Sequence, residues 1–145
     1  SGFMILQYTT AALASENKGL CFPSSADSIP TSLGQEDHVS MGSIGGRKLL
    51  QVLDNVQKIQ SIELLCAAQA LDFHHPLKPT PVVAAVHAHV RSAIPHLEED
   101  QAMSEIMETA QALTYSGELI AVARAAAKQE NKPYPGKGGN LFDEF

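Results

Sequence analysis

The sequence predicts an all-α protein, a bundle of long helices. Three observations carry that expectation. Apolar residues recur at helical spacing through most of the 145 residues. Prolines and glycines fall between these runs and punctuate them. No alternating, strand-like segment and no internal repeat competes with the helical pattern. At this length, with 44% apolar residues, a single helical region over 1–145 is expected.

Residues 2–18 are rich in helix formers, and Phe3, Met4, Ile5, Leu6, Tyr8, Ala11, Ala12 and Leu13 cover more than one face, so this helix should be buried on several sides. It lacks a capping box, which predicts a start inside or at the edge of a larger structure. Gly19 is expected to end it. Pro23, Ser24, Ser25, Asp27, Ser28, Pro30, Thr31, Ser32 and Gly34 then hold a long loop out of regular structure, with Ile29 and Leu33 ordering it.

After Ser40 comes the longest pattern, in which Ile44, Leu49, Val52, Leu53, Val56, Ile59, Ile62, Leu65 and Leu71 follow helical spacing to about Phe73. At ~1.5 Å per residue it would run about 40 Å from Arg47 or about 50 Å from Met41. A compact globule of this chain length is roughly 38 Å across. The overhang predicts packing against other chains or against a missing part of this one. Pro76 and Pro79 stop this helix, and Thr80 with Pro81 at the first helical position starts one over 82–93. Glu98 to Tyr115 makes the next, ended by Gly117, and Leu119 to Gln129 the last. Residues 131–145 read as a flexible tail.

The net charge of −6, from 16 acidic and 10 basic residues without a dense cationic run, argues against nucleic acid and against a polybasic membrane contact. Cys21 and Cys66 stand far apart and read as two buried thiols of a reducing compartment. The apolar run Phe3-Met4-Ile5-Leu6 is too short to span a bilayer and lacks the flanks of a signal peptide. A soluble, cytoplasmic protein is expected.

The densest chemistry lies at Gln35-Glu36-Asp37-His38, beside the start of the long helix. Acid/base or hydrogen-bonding work is open to these groups. From composition alone they read as solvated residues complementing the positive end of the helix. No spacing is that of a metal site. His74 and His75 sit where a helix C-terminus favours cations, His87 and His89 point to different faces, and His96 shows no partner in sequence. Glu63, on a helix that reads as buried nearly all round, predicts an inter-helix ion pair, and Ser15-Glu16-Asn17-Lys18 reads as helix-end capping. There is no Gly-x-Ser-x-Gly, neither cysteine has a basic neighbour, and Gly45-Gly46 and Gly136-x-Gly138-Gly139 follow no strand as a phosphate loop would.

Taken in order, the stretches from Gln7 to Lys18, from Pro23 to Ser32, Gln35-Glu36-Asp37-His38-Val39-Ser40-Met41, from Ile62 to Asp72, and the Pro76-Leu77-Lys78 turn resemble the C-terminal part of the histidine ammonia-lyases. These belong with the phenylalanine and tyrosine lyases and the related aminomutases. The resemblance covers nearly the whole chain. It implies a mostly helical homotetramer with active sites shared between subunits, and conversion of L-histidine to trans-urocanate and ammonia. It also implies a methylidene-imidazolone electrophile, formed from an internal Ala-Ser-Gly. That tripeptide does not occur here, nor does the segment carrying the family's base tyrosine. The chain is therefore expected to be a C-terminal fragment, inactive alone and completed by the N-terminal part of the same enzyme.

Carried over by position, Glu36 matches the family's active-site glutamate, where the phenylalanine-type enzymes have glutamine. A carboxylate accepts a hydrogen bond from an imidazole N–H, whereas beside a phenyl ring a buried charge has no partner. The resemblance thus makes Glu36 a catalytic and substrate-binding residue, with Gln35 beside it at the substrate and His38 supporting. Two departures stand out. Gly45-Gly46 replaces residues that tend to be alanines, and Leu33-Gly34 stands where Ala-Asn is commoner. A lyase or aminomutase for tyrosine or phenylalanine, and a non-catalytic helical assembly module, remain as alternatives.

Overall fold

The computed structural model describes residues 2–26, 28–36 and 42–130. Asp37, His38 and the tail from residue 131 lie outside the described residues. Within them the protein is all-α, as predicted, with helices α1 (Met4–Leu20), α2 (Gly42–Asp72), α3 (Pro81–Ala93), α4 (Ser104–Ser116) and α5 (Glu118–Gln129). One 3-10 turn, Ser32–Gly34, and one isolated β-bridge are the other regular features described. The chain divides into two compact units, residues 1–60 and 61–145, and α2 runs through both. Its 31 residues correspond to about 46 Å at ~1.5 Å each.

In the N-terminal unit α1 continues one residue beyond Gly19, because the Cys21 backbone N–H, itself in right-handed helical geometry, satisfies the Asn17 carbonyl at 3.0 Å. A left-handed glycine cap is not needed. The end of α1 is tied to the middle of α2 by buried Asn55, whose Nδ2 donates to Glu16 Oε2 at 2.8 Å and to Asn17 Oδ1 at 2.9 Å. Gln51 Nε2 adds a longer bond to Glu16 Oε1 at 3.4 Å. Glu16 and Asn17 therefore do more than cap their own helix. Leu6 is buried, while Met4, Ile5 and Tyr8 on α1 and Ile44, Leu49, Leu50, Leu53 and Val56 on α2 stay exposed.

Gly45 and Gly46 lie inside α2, and a Cβ built at either meets nothing within 4 Å. Each costs the helix about 0.5–1 kcal/mol relative to alanine. Gly45→Ala and Gly46→Ala in the 145-residue chain should each raise stability by about that amount in urea unfolding. An unchanged or lower midpoint would show that the space is used.

In the C-terminal unit α3 and α5 pack on each other and α4 contacts both. Leu65, Ala68, Val90, Ile94, Met103, Ala110, Leu113, Ala123, Ala126 and Ala127 are buried here. Fully burying a side chain such as Leu65 or Ile94 contributes about 1.5–3 kcal/mol. Thr80 and Pro81 open α3 as expected, and Gly117, at φ 75°, takes the left-handed turn between α4 and α5 that a side chain would resist. The expected helix from Glu98 starts only at Ser104. The reason lies at Leu97, whose carbonyl and N–H are both engaged by the buried Gln69 amide, at 2.8 and 3.3 Å, which takes the backbone out of helical pairing. Glu63, expected to be buried, is exposed.

Candidate functional site

Glu36 closes a tight turn. Thr31 N–H donates to the Glu36 carbonyl at 2.7 Å, and Glu36 N–H donates back to the Thr31 carbonyl at 3.2 Å, forming the isolated bridge. Between them Ser32 (φ 52°), Leu33 (φ 59°) and Gly34 (φ 85°) all have left-handed backbones. For Ser32 and Leu33 that conformation costs roughly 1–2 kcal/mol each, and at Gly34 the missing Cβ removes the cost. The turn thus turns the chain back on itself within six residues and leaves the Leu33, Gln35 and Glu36 side chains exposed. An exposed carboxylate on such a braced turn can accept a hydrogen bond from a ligand N–H. The structure thus describes Gln35 and Glu36 side by side; it does not describe His38.

Upstream in the same unit, a cleft of about 390 Å³ lies between residues 20–25 and the first turns of α2, lined by Leu20, Phe22, Pro23, Leu49 and Val52 among others. The Lys48 ammonium crosses its rim to donate to the Phe22 carbonyl. Cys21 lies at this cleft and is exposed.

The C-terminal unit holds a polar cluster that the sequence reading missed. Asp72, at the end of α2, takes His87 Nε2 at 2.8 Å on Oδ1, and Arg91 NH2 at 2.7 Å and His96 Nδ1 at 2.6 Å on Oδ2. Burial pushes its pKa up, but the hydrogen bonds from His96 and Arg91 and the charges of Arg91 and His87 outweigh this and hold the carboxyl below its usual range. Gln69 and Asp72, three apart on α2, and His87 and Arg91, four apart on α3, share faces, and that spacing was the available signal. His89 reaches Glu118 of α5 at 3.2 Å instead, from a different face of α3. His74 and His75 are exposed. Cys66 is pushed above the usual thiol value by burial and by the nearby Glu63 charge, which keeps it protonated and weakly nucleophilic. Among the described residues, no group of three or more His, Cys, Asp or Glu is placed to hold a metal ion, and no helix is long and apolar enough to cross a membrane.

The family model for aromatic amino acid lyases matches residues 1–92, which carry α1, the Thr31–Glu36 turn, α2 and most of α3. The chain belongs to the aromatic amino acid lyase family. Within that family it is 51% identical, over 99% of its length, to a histidine ammonia-lyase of Deinococcus radiodurans, of which it covers 27%. Among solved structures, histidine ammonia-lyase from Trypanosoma cruzi superposes with a TM-score of 0.82 at 41% identity, over 96% of this chain and 29% of that one. A tyrosine aminomutase from Streptomyces globisporus superposes with a TM-score of 0.79 at 34% identity, over 87% of this chain and 24% of that one. The chain spans about a quarter of the length of the curated relatives it matches. These likenesses identify the helices as the aromatic amino acid lyase fold and the 145 residues as a fragment of a histidine ammonia-lyase type of chain.

Proposed function

We propose that this chain forms one wall of the active site of an enzyme that eliminates ammonia from L-histidine to give trans-urocanate. The observation that carries this is Glu36, an exposed carboxylate presented on the braced turn that starts at Thr31, at the position where the family's histidine-type members place a glutamate. A carboxylate there accepts the imidazole N–H of the substrate and orients the ring, with Gln35 beside it and His38 supporting. Deprotonation at the β-carbon and loss of the amine belong to groups outside these residues.

The family's methylidene-imidazolone, when present, supplies the electrophile that activates the amine. Its precursor Ala-Ser-Gly is absent from these 145 residues, so this chain does not carry the group. The complete enzyme brings it from the N-terminal part or from another subunit. The apolar faces that α1 and α2 leave exposed, from Met4, Ile5 and Tyr8 to Leu49, Leu50 and Leu53, support burial in a homotetramer, and the acidic composition suits a cytoplasmic enzyme. The likeness to a tyrosine aminomutase supports, as second reading, an enzyme acting on another aromatic amino acid.

The purified 145-residue chain should form no urocanate from L-histidine, while the complete enzyme should form it. Urocanate made by the chain alone, or none made by the complete enzyme, would overturn this reading.

A further inference from the structure

Two histidines share the Asp72 carboxylate, yet their surroundings demand opposite proton arrangements. Gln69 is buried, and its amide is oriented from both ends. Its Oε1 accepts from Arg91 NH2 at 3.1 Å and from Leu97 N–H at 3.3 Å, two groups that can only donate. Its Nε2 donates to the Leu97 carbonyl at 2.8 Å and lies 3.2 Å from His96 Nε2. Turning the amide over would set donors against donors at Arg91 and Leu97. The Gln69 amine therefore faces His96, and His96 Nε2 must accept. The ring is then neutral with its proton on Nδ1, which donates to Asp72 Oδ2 at 2.6 Å. The edge of the ring contact with Phe73, 5.5 Å between centroids at 76°, fixes the plane of the imidazole.

His87 is the reverse case. Its Nε2 meets two acceptors, Asp72 Oδ1 at 2.8 Å and the Ala68 carbonyl at 3.3 Å, so it carries a proton there. A second proton, on Nδ1, leaves both contacts intact and adds an ion pair with Asp72. A second proton on His96 goes to Nε2 and points one N–H at another across 3.2 Å. The charged and titratable groups acting on the Asp72 carboxylate are His96 itself and, from α3, His87 and Arg91.

We propose that this cluster is an acid-released latch, in which neutral His96 clasps Leu97 to the end of α2 through Gln69 and protonation at His96 Nε2 opens that clasp. Arg91 keeps hold of the Ile94 and Pro95 carbonyls, each at 3.1 Å, so the opening is confined to His96 and Leu97. The inference is independent of the catalytic reading, because it uses no residue of the Glu36 turn.

Imidazole ¹⁵N NMR on the labelled 145-residue chain tests it, with His96→Asn and His87→Gln assigning the two rings. Neutral His96 should carry its proton on Nδ1 and neutral His87 on Nε2. As His96 titrates, the amide protection factor of Leu97 should fall more than tenfold. His87→Gln should keep that fall and His96→Asn should abolish it. A neutral His96 protonated on Nε2, or Leu97 protection unchanged through the His96 titration, would overturn the latch.

Discussion

Glu36→Ala in the complete enzyme should lower kcat/KM for L-histidine by about ten- to hundredfold. A hydrogen bond to a charged group is worth roughly 1.5–3 kcal/mol, and each 1.36 kcal/mol of lost transition-state stabilisation is tenfold in rate. The loss should fall on histidine turnover and leave the fold intact, because the Glu36 side chain is exposed and the Thr31–Glu36 bridge is made by main-chain atoms alone. Steady-state kinetics together with the far-UV circular dichroism of the variant separate the two effects. An Ala variant that keeps full kcat/KM removes Glu36 from the site.

The second large effect is on stability. Asp72→Asn leaves the Arg91 guanidinium, with its side chain only 14% exposed, facing a neutral amide. Breaking a buried pair by removing one partner costs roughly 3–5 kcal/mol; with Asp72 itself 21% exposed, about 2–3 kcal/mol is expected here. The pH dependence has a definite sign. The Asp72 pKa is lower in the folded chain, so its contribution is present in full above the unfolded value of about 3.9 and is lost as pH falls through the folded value. The stability gap between the native chain and Asp72→Asn, from urea unfolding, should therefore be present at neutral pH and narrow below about pH 4. A gap that stays as wide well below pH 4, or none at pH 7, contradicts this account of the cluster.

Much of the fold was legible because its signals are local. Thr80 and Pro81 open α3, Gly117 separates α4 from α5, and the apolar spacing from Ile44 to Leu71 is that of α2. The errors arose where long-range pairing overrode local preference. Glu98, Glu99 and Asp100 looked like the first turn of a helix, but Gln69 binds the Leu97 backbone from 28 residues away and helix α4 waits until Ser104. His96 showed no partner in sequence because its partners, Asp72 and Gln69, lie 24 and 27 residues upstream. Gly19 looked like a helix stop, yet the Cys21 N–H extends α1 past it.

The Glu36 corner was legible in a different way. Its charge pattern alone matched any solvated helix-start loop, and only the order of motifs around it singled out one carboxylate. The backbone geometry adds what no local propensity predicts: three consecutive left-handed residues, Ser32 to Gly34, two of them not glycine, just ahead of Glu36. A chain accepts such strain where the surrounding structure holds it, and function is a frequent reason for it.

The most direct measurement is the ratio of kcat/KM for L-histidine over L-phenylalanine in the complete enzyme, with Glu36 and with Glu36→Gln. A carboxylate that meets the substrate imidazole predicts that the ratio favours histidine and falls at least tenfold on substitution, as the phenyl ring no longer lies beside an unpaired charge. A ratio that already favours phenylalanine, or one that the substitution leaves unchanged, would contradict the assignment of this corner to histidine.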